Sequence, residues 1–477
     1  MKASLVALVC LGLTTTPALA QEGTLSFDPV FGDHAVLQRD RPLHVRGSAA
    51  PGQPVTVSLA GRTIAAIADA SGAWTATLPA TSAGGPYRLE ATDAAGNTVA
   101  ITDVMLGDVF LCGGQSNMSY LTKFATNASN ELKTPPDPAI RFATVPLAQP
   151  ALATRVLPNR LQWRIAAPDT LGESSAVCYY MAIELKKVTG VTIGFVRSSL
   201  GGTRIERWLS AGALRDFDLN RERVAALQTF ARRPGAPSTP GRGLGTLYNG
   251  MIAPIAPYAF KGVIWYQGES DVSNPAEYRR LLPALLKDWR RTFDDPELPF
   301  VLVQLTAFGP TGVKPGASDW AELREVQRQV SLAEPRTALV VSMDAGDRWD
   351  IHPAQKKIVG QRVARAMRRL VYGDPITVGG PRPIEVRRVG DDLIVGFDGT
   401  DGGLATYSSD RAIGFEVCDT ARDCRYVDAR TEGDAVRLIG GNRGAAAMVR
   451  YAWANSPVIN LYGRSDIPAI PFEMAIP

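Results

Sequence analysis

The chain has 477 residues, of which 45% are hydrophobic and 21% charged, and its net charge is +4. That length exceeds what one hydrophobic core usually serves and predicts two or three domains of ordinary globular composition. A charge this small, with no Lys/Arg run, excludes a surface built to track phosphates, so no nucleic-acid partner is expected.

Met1-Lys2 opens a short basic start, followed by an apolar stretch from Leu5 to Leu13 and the small-residue exit Ala18-Leu19-Ala20. This pattern predicts a secretory signal over residues 1–20, cleaved near Ala20 and too short to span a bilayer. Cys10 follows Val9 rather than a small residue, so no lipid or other membrane anchor is expected. The mature chain is expected in the periplasm or outside the cell.

Residues 21–104 alternate short β-like runs with turns, as in Pro54–Leu59 and Trp74–Leu78, and predict an antiparallel β-sandwich domain. From 105 to 373 the pattern changes. Apolar runs at Val109–Cys112, Val191–Val196, Gly262–Tyr266, Pro299–Val303 and Thr337–Val341 alternate with amphipathic stretches near 178–189, 276–293, 319–333 and 353–371. Strands buried on both faces between helices predict a parallel α/β sheet, whose chemistry gathers beyond the carboxyl ends of the strands. From 374 to 477 β-like alternation returns, which predicts a second sandwich. The Pro/Gly-rich stretch 233–246 reads as a loop.

Four cysteines follow the signal. Cys418 and Cys424 flank a turn-like insert and are expected to form a hairpin disulfide in an oxidising compartment. Cys112 and Cys178 lie in apolar segments and read as buried small residues rather than ligands. No Cys/His cluster has zinc spacing, so no metal site is expected.

The chemistry-bearing residues sit in loops after the predicted strands. Ser116, in Gly113-Gly114-Gln115-Ser116-Asn117-Met118, lies in a turn after a strand. A serine needs a neighbouring base, and the chain offers three histidines, of which only His352 lies beyond the N-terminal β segment. His34 and His44 read as structural. Pro353 suits the first position of a helix, which would place His352 at or near its N-cap and favour a neutral base. Asp350 is the expected third member of a triad, with Asp347 the second choice. The developing oxyanion is expected to be met by a backbone N–H of Gly201 or Gly202 and by the Gln267 side-chain amide. Arg204, Glu269, Trp320 and Trp349 are candidate substrate contacts, and Trp208 and Trp265 also lie near the rim. The plain reading makes at least two of these four tryptophans core residues.

Gly-Gln-Ser-Asn-Met (114–118), Gly-Gly-Thr (201–203), Leu-Tyr-Asn-Gly-Met (247–251), Trp-Tyr-Gln-Gly-Glu-Ser-Asp (265–271) and Asp-Ile-His-Pro (350–353) occur in this order. Together they resemble the sialate O-acetylesterase-like branch of the SGNH hydrolase superfamily. The resemblance implies a three-layer flavodoxin-like esterase domain that removes O-acetyl groups from sugars without metal or cofactor. It also implies Ser116 as nucleophile, His352 as base, and an oxyanion hole formed by the Ser116 N–H, a glycine of 201–202 and the block holding Gln267. Where the superfamily usually has Asp, three residues before His, this chain has Trp349. The substrate is expected to be an acetylated carbohydrate, either O-acetyl sialic acid or acetylated xylan or xyloglucan fragments. The rival readings are a non-catalytic carbohydrate-binding protein and a short-chain esterase of other specificity.

Overall fold

A computed structural model describes residues 23–217, 222, 224–226 and 243–477. The predicted signal at 1–20 and most of the 233–246 loop lie outside the described residues.

The N-terminal region contains β1 (Val36–Gln38), β2 (Leu43–Ser48), β3 (Pro54–Leu59), β4 (Arg62–Ile67), β5 (Ala73–Leu78) and β6 (Gly84–Asp93). In β2, β3 and β5 buried and outward residues alternate, the signature of strands with one face in a core. β2 pairs with β5, and β3 pairs with β4 and β6, all antiparallel.

β7 (Thr98–Gly114) is the spine of the molecule. Its first half pairs with β6 and β1 in the N-terminal region. Its second half runs into the central sheet and ends just before Ser116. The boundary expected at 104–105 therefore falls inside one continuous strand rather than in a linker.

The central sheet adds β8 (Asp137–Thr144), β9 (Trp163–Ala166), β10 (Ile193–Ser199), β11 (Gly262–Tyr266), β12 (Phe300–Val303) and β13 (Thr337–Val340). Its order is β9-β8-β10-β7-β11-β12-β13. The pairings from β8 through β13 are parallel, and β9 caps one edge antiparallel. Chain order reverses around β7, with β8 and β10 on one side and β11 to β13 on the other. A crevice opens at such a switch point, beyond the carboxyl ends of the strands, and Ser116 sits there.

Helices cover both faces, as the apolar strand runs require. α2 (Ala176–Thr189) and α5 (Lys356–Met367) pack with Phe110, Cys112, Ile264 and Val301 on one face. α3 (Pro275–Thr292) and α4 (Asp319–Ala333) pack with Leu111, Val263, Trp265 and Leu302 on the other. The result is the expected three-layer α/β arrangement. After α5 come two four-stranded antiparallel sheets. One holds β14 (Arg382–Val389), β15 (Asp392–Asp398), β18 (Asp428–Glu432) and β19 (Ala435–Ile439). The other holds β16 (Phe415–Cys418), β17 (Cys424–Tyr426), β20 (Met448–Tyr451) and β21 (Phe472–Ala475).

Cys418 and Cys424 are bridged, as expected from their hairpin spacing. Cys112 and Cys178 are buried, as expected, and are also bridged to each other, which was not expected. Local sequence holds no signal for this pair, because only the docking of α2 on β7 brings residues 66 apart into contact. Replacing both by alanine is expected to lower unfolding free energy by roughly 2–4 kcal/mol, in line with loops of this kind. Urea titration checks this, and a thiol reductant should bring the wild type down towards the variant. Equal midpoints for variant and wild type would show that the bridge adds nothing.

Candidate active site

Ser116 opens α1 (Ser116–Ser119), directly after β7. The tight entry needs Gly114, whose φ is +138° and whose hypothetical Cβ would lie 2.1 Å from the Tyr266 carbonyl oxygen. Gln115 N–H donates to that same carbonyl (3.0 Å), which pins the turn to the end of β11. Ser116 is half-buried, and its hydroxyl has no hydrogen-bond partner among the described residues.

The loop after β10 lies against it. A Cβ on Gly201 would come 3.2 Å from the Ser116 Cβ, a tight contact that a side chain could hold only if its neighbour gave way by a few tenths of an ångström. The N–H groups of Ser116, Gly201 and Gly202 donate to no acceptor among the described residues. Leu200 N–H bonds the Gly114 carbonyl (3.1 Å), and Thr203 Oγ1 accepts from the Trp208 indole while donating to the Leu200 carbonyl. The glycine pair is thus held on both sides.

The loop carrying His352 reaches the same rim through Asn117. The Asn117 amide nitrogen donates to the Ile351 carbonyl (3.0 Å) and to the Glu269 carboxylate (2.5 Å). Its amide oxygen accepts from the Lys356 ammonium group (2.7 Å), which also bonds the Pro353 carbonyl. The residue after Ser116 therefore ties down the residue before His352. Burial pushes the Lys356 amine down to about 7 and raises the Glu269 carboxyl, one oxygen of which is buried without a partner.

The surroundings of His352 depart from the expected triad. α5 begins at Lys356, with Gln355 as its cap, so His352 lies in the preceding bend and not at a helix N-terminus. The chain reaches helical geometry only after Pro353-Ala354-Gln355. Asp350 accepts from the His352 backbone N–H (2.7 Å), and Asp347 accepts from the Trp349 N–H (2.8 Å). Neither carboxylate has a hydrogen bond or ion pair with the His352 ring. One oxygen of each carboxylate is engaged in this way by its own Asx turn.

Gln267 is fully buried, and its amide nitrogen donates to the Gln115 side chain, the Thr203 carbonyl and Asp271 (3.2, 3.0 and 2.5 Å). Spent on three acceptors, this amide braces the serine and glycine loops from below and has no donor left for an oxyanion. Asp271, pushed up to about 6 by burial, also accepts from the Ile205 N–H and from half-exposed Arg204 (3.4 Å). Arg204 stays on the rim with its side chain partly exposed. Trp320 is buried against Phe308 with its indole bonded to the Thr306 carbonyl, and Trp208 and Trp265 are core residues. Trp349 is 81% exposed, beneath the Arg348 guanidinium. Of the four tryptophans it alone can offer a sugar an open face.

Asn117 and Lys356 went unread in the sequence. Asn117 stood inside the quoted serine motif and Lys356 four residues after His352, but only the fold joins them.

The model of the carbohydrate esterase, sialic acid-specific acetylesterase family matches residues 106–369, over half of the chain and all the loops just described. The chain belongs to this family. The sialate O-acetylesterase of Pongo abelii is 30% identical over 475 residues, covering 89% of this chain and 88% of that one. The Mus musculus sialate O-acetylesterase is 28% identical, covering 94% and 93%. A crystal structure of a carbohydrate acetylesterase from Xanthomonas citri superposes with a TM-score of 0.85 at 34% identity, covering 94% of this chain and 99% of that one. The protein is therefore an ester hydrolase, and the non-catalytic reading falls away. Among the described residues, no helix of this esterase is long and apolar enough to cross a membrane.

Proposed function

We propose that the esterase removes O-acetyl groups from sugar hydroxyls through an acetyl-serine intermediate. The observation that carries this is the free Ser116 hydroxyl, beside three unpartnered N–H groups and tied through Asn117 to the His352 loop. Ser116 Oγ attacks the acetyl carbonyl and passes its proton to His352. The Ser116, Gly201 and Gly202 N–H groups receive the oxyanion. His352 then protonates the departing sugar oxygen, and a water that it deprotonates releases acetate. Asp350 fixes the backbone of His352 in this reading. The apolar leader at residues 1–20 and the two disulfides support secretion into an oxidising compartment.

The sugar is an O-acetyl sialic acid if Arg204 meets a carboxylate, and a neutral acetylated polysaccharide fragment of xylan or xyloglucan type if it does not. Acetate release from 9-O-acetyl-N-acetylneuraminic acid and from acetylated xylo- and xyloglucan oligosaccharides tests both. With a sialate substrate, Arg204→Ala should raise KM about tenfold, the worth of one charged contact, and leave neutral substrates unchanged. An enzyme that cleaves p-nitrophenyl acetate but releases acetate from none of these glycans would refute the proposal.

A further inference from the structure

In the mechanism above His352 protonates the departing sugar oxygen, while the N–H groups of Ser116, Gly201 and Gly202 receive the acetyl oxygen. The sugar ring therefore leaves on the His352 side of the ester, and the side chains bordering that loop decide which alcohols fit. Two of them are aromatic and open to water. Trp349 stands three residues before His352; seven of the eight tryptophans are buried, and Trp349 alone is not. Phe124, 58% exposed, lies on the segment that packs against the other end of the loop, where the Thr126 N–H donates to the Ala354 carbonyl (2.9 Å). From 349 to 354 the chain spans at most about 18 Å, so both rings border one short loop.

Both rings are carried on a fixed backbone. Tyr120 caps α1 four residues after Ser116, a spacing that sets two side chains about 5–6 Å apart on one helix face. Its ring lies under the Lys356 ammonium group (4.8 Å), and burial and the Asp350 carboxylate raise its phenol above the ordinary value. Tyr120 is thus set between the serine turn and the His352 loop. Its hydroxyl donates to the Phe124 carbonyl (3.0 Å), and the two rings meet edge to face with centroids 6.2 Å apart. The Phe124 N–H donates to the Leu121 carbonyl (3.0 Å), which closes the turn. At the other end, the Trp349 N–H bonds Asp347, and the Arg348 carbonyl accepts from the Gly309 N–H (3.0 Å). The Arg348 guanidinium stacks on the indole (4.5 Å), and Lys123 lies over the Phe124 ring (5.2 Å) while paired with Glu173 (2.6 Å). Each ring carries a cation on one side and keeps much of its surface in water.

A pyranose presents a face of C–H bonds, whose slightly positive hydrogens suit the negative face of an aromatic ring. An ethyl group has no such face. We propose that Phe124, set in place by Tyr120, and Trp349 hold the sugar ring of the leaving alcohol and make the enzyme select carbohydrate esters over simple ones. This rests on the O-acetylesterase reading above and deepens it, because it names the residues that recognise the alcohol side of the ester.

The test compares ethyl acetate with acetylated xylo-oligosaccharides and 9-O-acetyl-N-acetylneuraminic acid in Phe124→Ala, Phe124→Leu, Phe124→Tyr and Trp349→Ala. For at least one of the sugar esters, the ratio of its kcat/KM to that of ethyl acetate should fall about tenfold in both alanine variants, the effect of ~1.4 kcal/mol of binding. Phe124→Leu, which keeps apolar bulk without the ring, should lose as much, and Phe124→Tyr should restore the ratio. An unchanged ratio, or a leucine variant equal to the tyrosine one, overturns the proposal. Because Trp349 is the one open tryptophan, acrylamide quenching of fluorescence in Ser116→Ala reports on it without catalysis. Either sugar ester at saturation should lower that quenching, and adding Trp349→Phe should abolish the response; quenching that neither ester alters overturns the Trp349 contact. Protection in Ser116→Ala with no acetate release from any sugar by the wild type would sink the esterase reading and leave the aromatic site standing. Acetate release with an unchanged ratio would do the reverse.

Discussion

Ser116→Ala and His352→Ala should each lower kcat on p-nitrophenyl acetate by roughly a hundred- to ten-thousand-fold, the range that positioned proton transfer supplies. The two losses should not add in the double variant, since each step uses both groups. Acid-quenched wild type should carry acetyl on the peptide containing Ser116, and His352→Ala should not accumulate it. Asp350→Asn is expected to change kcat only a few-fold, because an asparagine carbonyl can still accept from the His352 N–H. A loss for Asp350→Asn as large as for His352→Ala would show that the carboxylate reaches the ring during turnover and restore the triad. Near wild-type turnover in Ser116→Ala would remove the serine from the mechanism.

Asn117→Ala should lower kcat about a hundredfold with little change in KM, since misplacement by about an ångström costs that much. The residue touches no reacting atom in the proposed mechanism. Its amide holds the Ile351 carbonyl and Glu269, and its oxygen holds Lys356. Lys356→Met gives the same argument a stability readout. The folded-state amine titrates near 7 against an ordinary 10.5, with burial as the main cause. Between those pH values the unfolded chain binds more protons than the folded one, so the contribution of Lys356 to stability rises as pH climbs from about 7 to about 10.5. The buried carboxyls Asp271 and Glu416 titrate near 6 and 7, at or below the start of that window, and their contribution falls as pH rises through those values. Thermal unfolding of Lys356→Met between pH 7.5 and 10 should therefore show a shallower rise than wild type. An identical pH slope would mean that the lysine is not desolvated in solution.

The alternation of apolar strand runs and amphipathic helices was legible because periodicity is a local property. It placed β10 to β13 and α2 to α5 to within a few residues. It also put Ser116, the 201–202 glycines and His352 on one rim, because loops after parallel strands emerge at one end of the sheet. What stayed hidden depends on partners far away in sequence. Gln267 reads as a free amide until the fold surrounds it with Gln115, Thr203 and Asp271. Asp350 reads as a triad carboxylate until its local turn claims it. Trp320 sits beside a rim loop in sequence but faces inward once α4 docks. Cys112 and Cys178 illustrate the same limit, as an apolar setting predicted burial but not the bond.

β7 gives the molecule a peculiar heredity. One end of this strand is a rung of the N-terminal β region, and the other delivers the serine. A gene fragment starting at residue 105 would begin in mid-strand, stripping β7 of its pairing with β6 while leaving the apolar residues that β1 and β6 cover open to water. The N-terminal β region is thus no detachable accessory that recombination can trade for another module. The two share one strand, so the pairing of its first half bears on the strand that delivers Ser116.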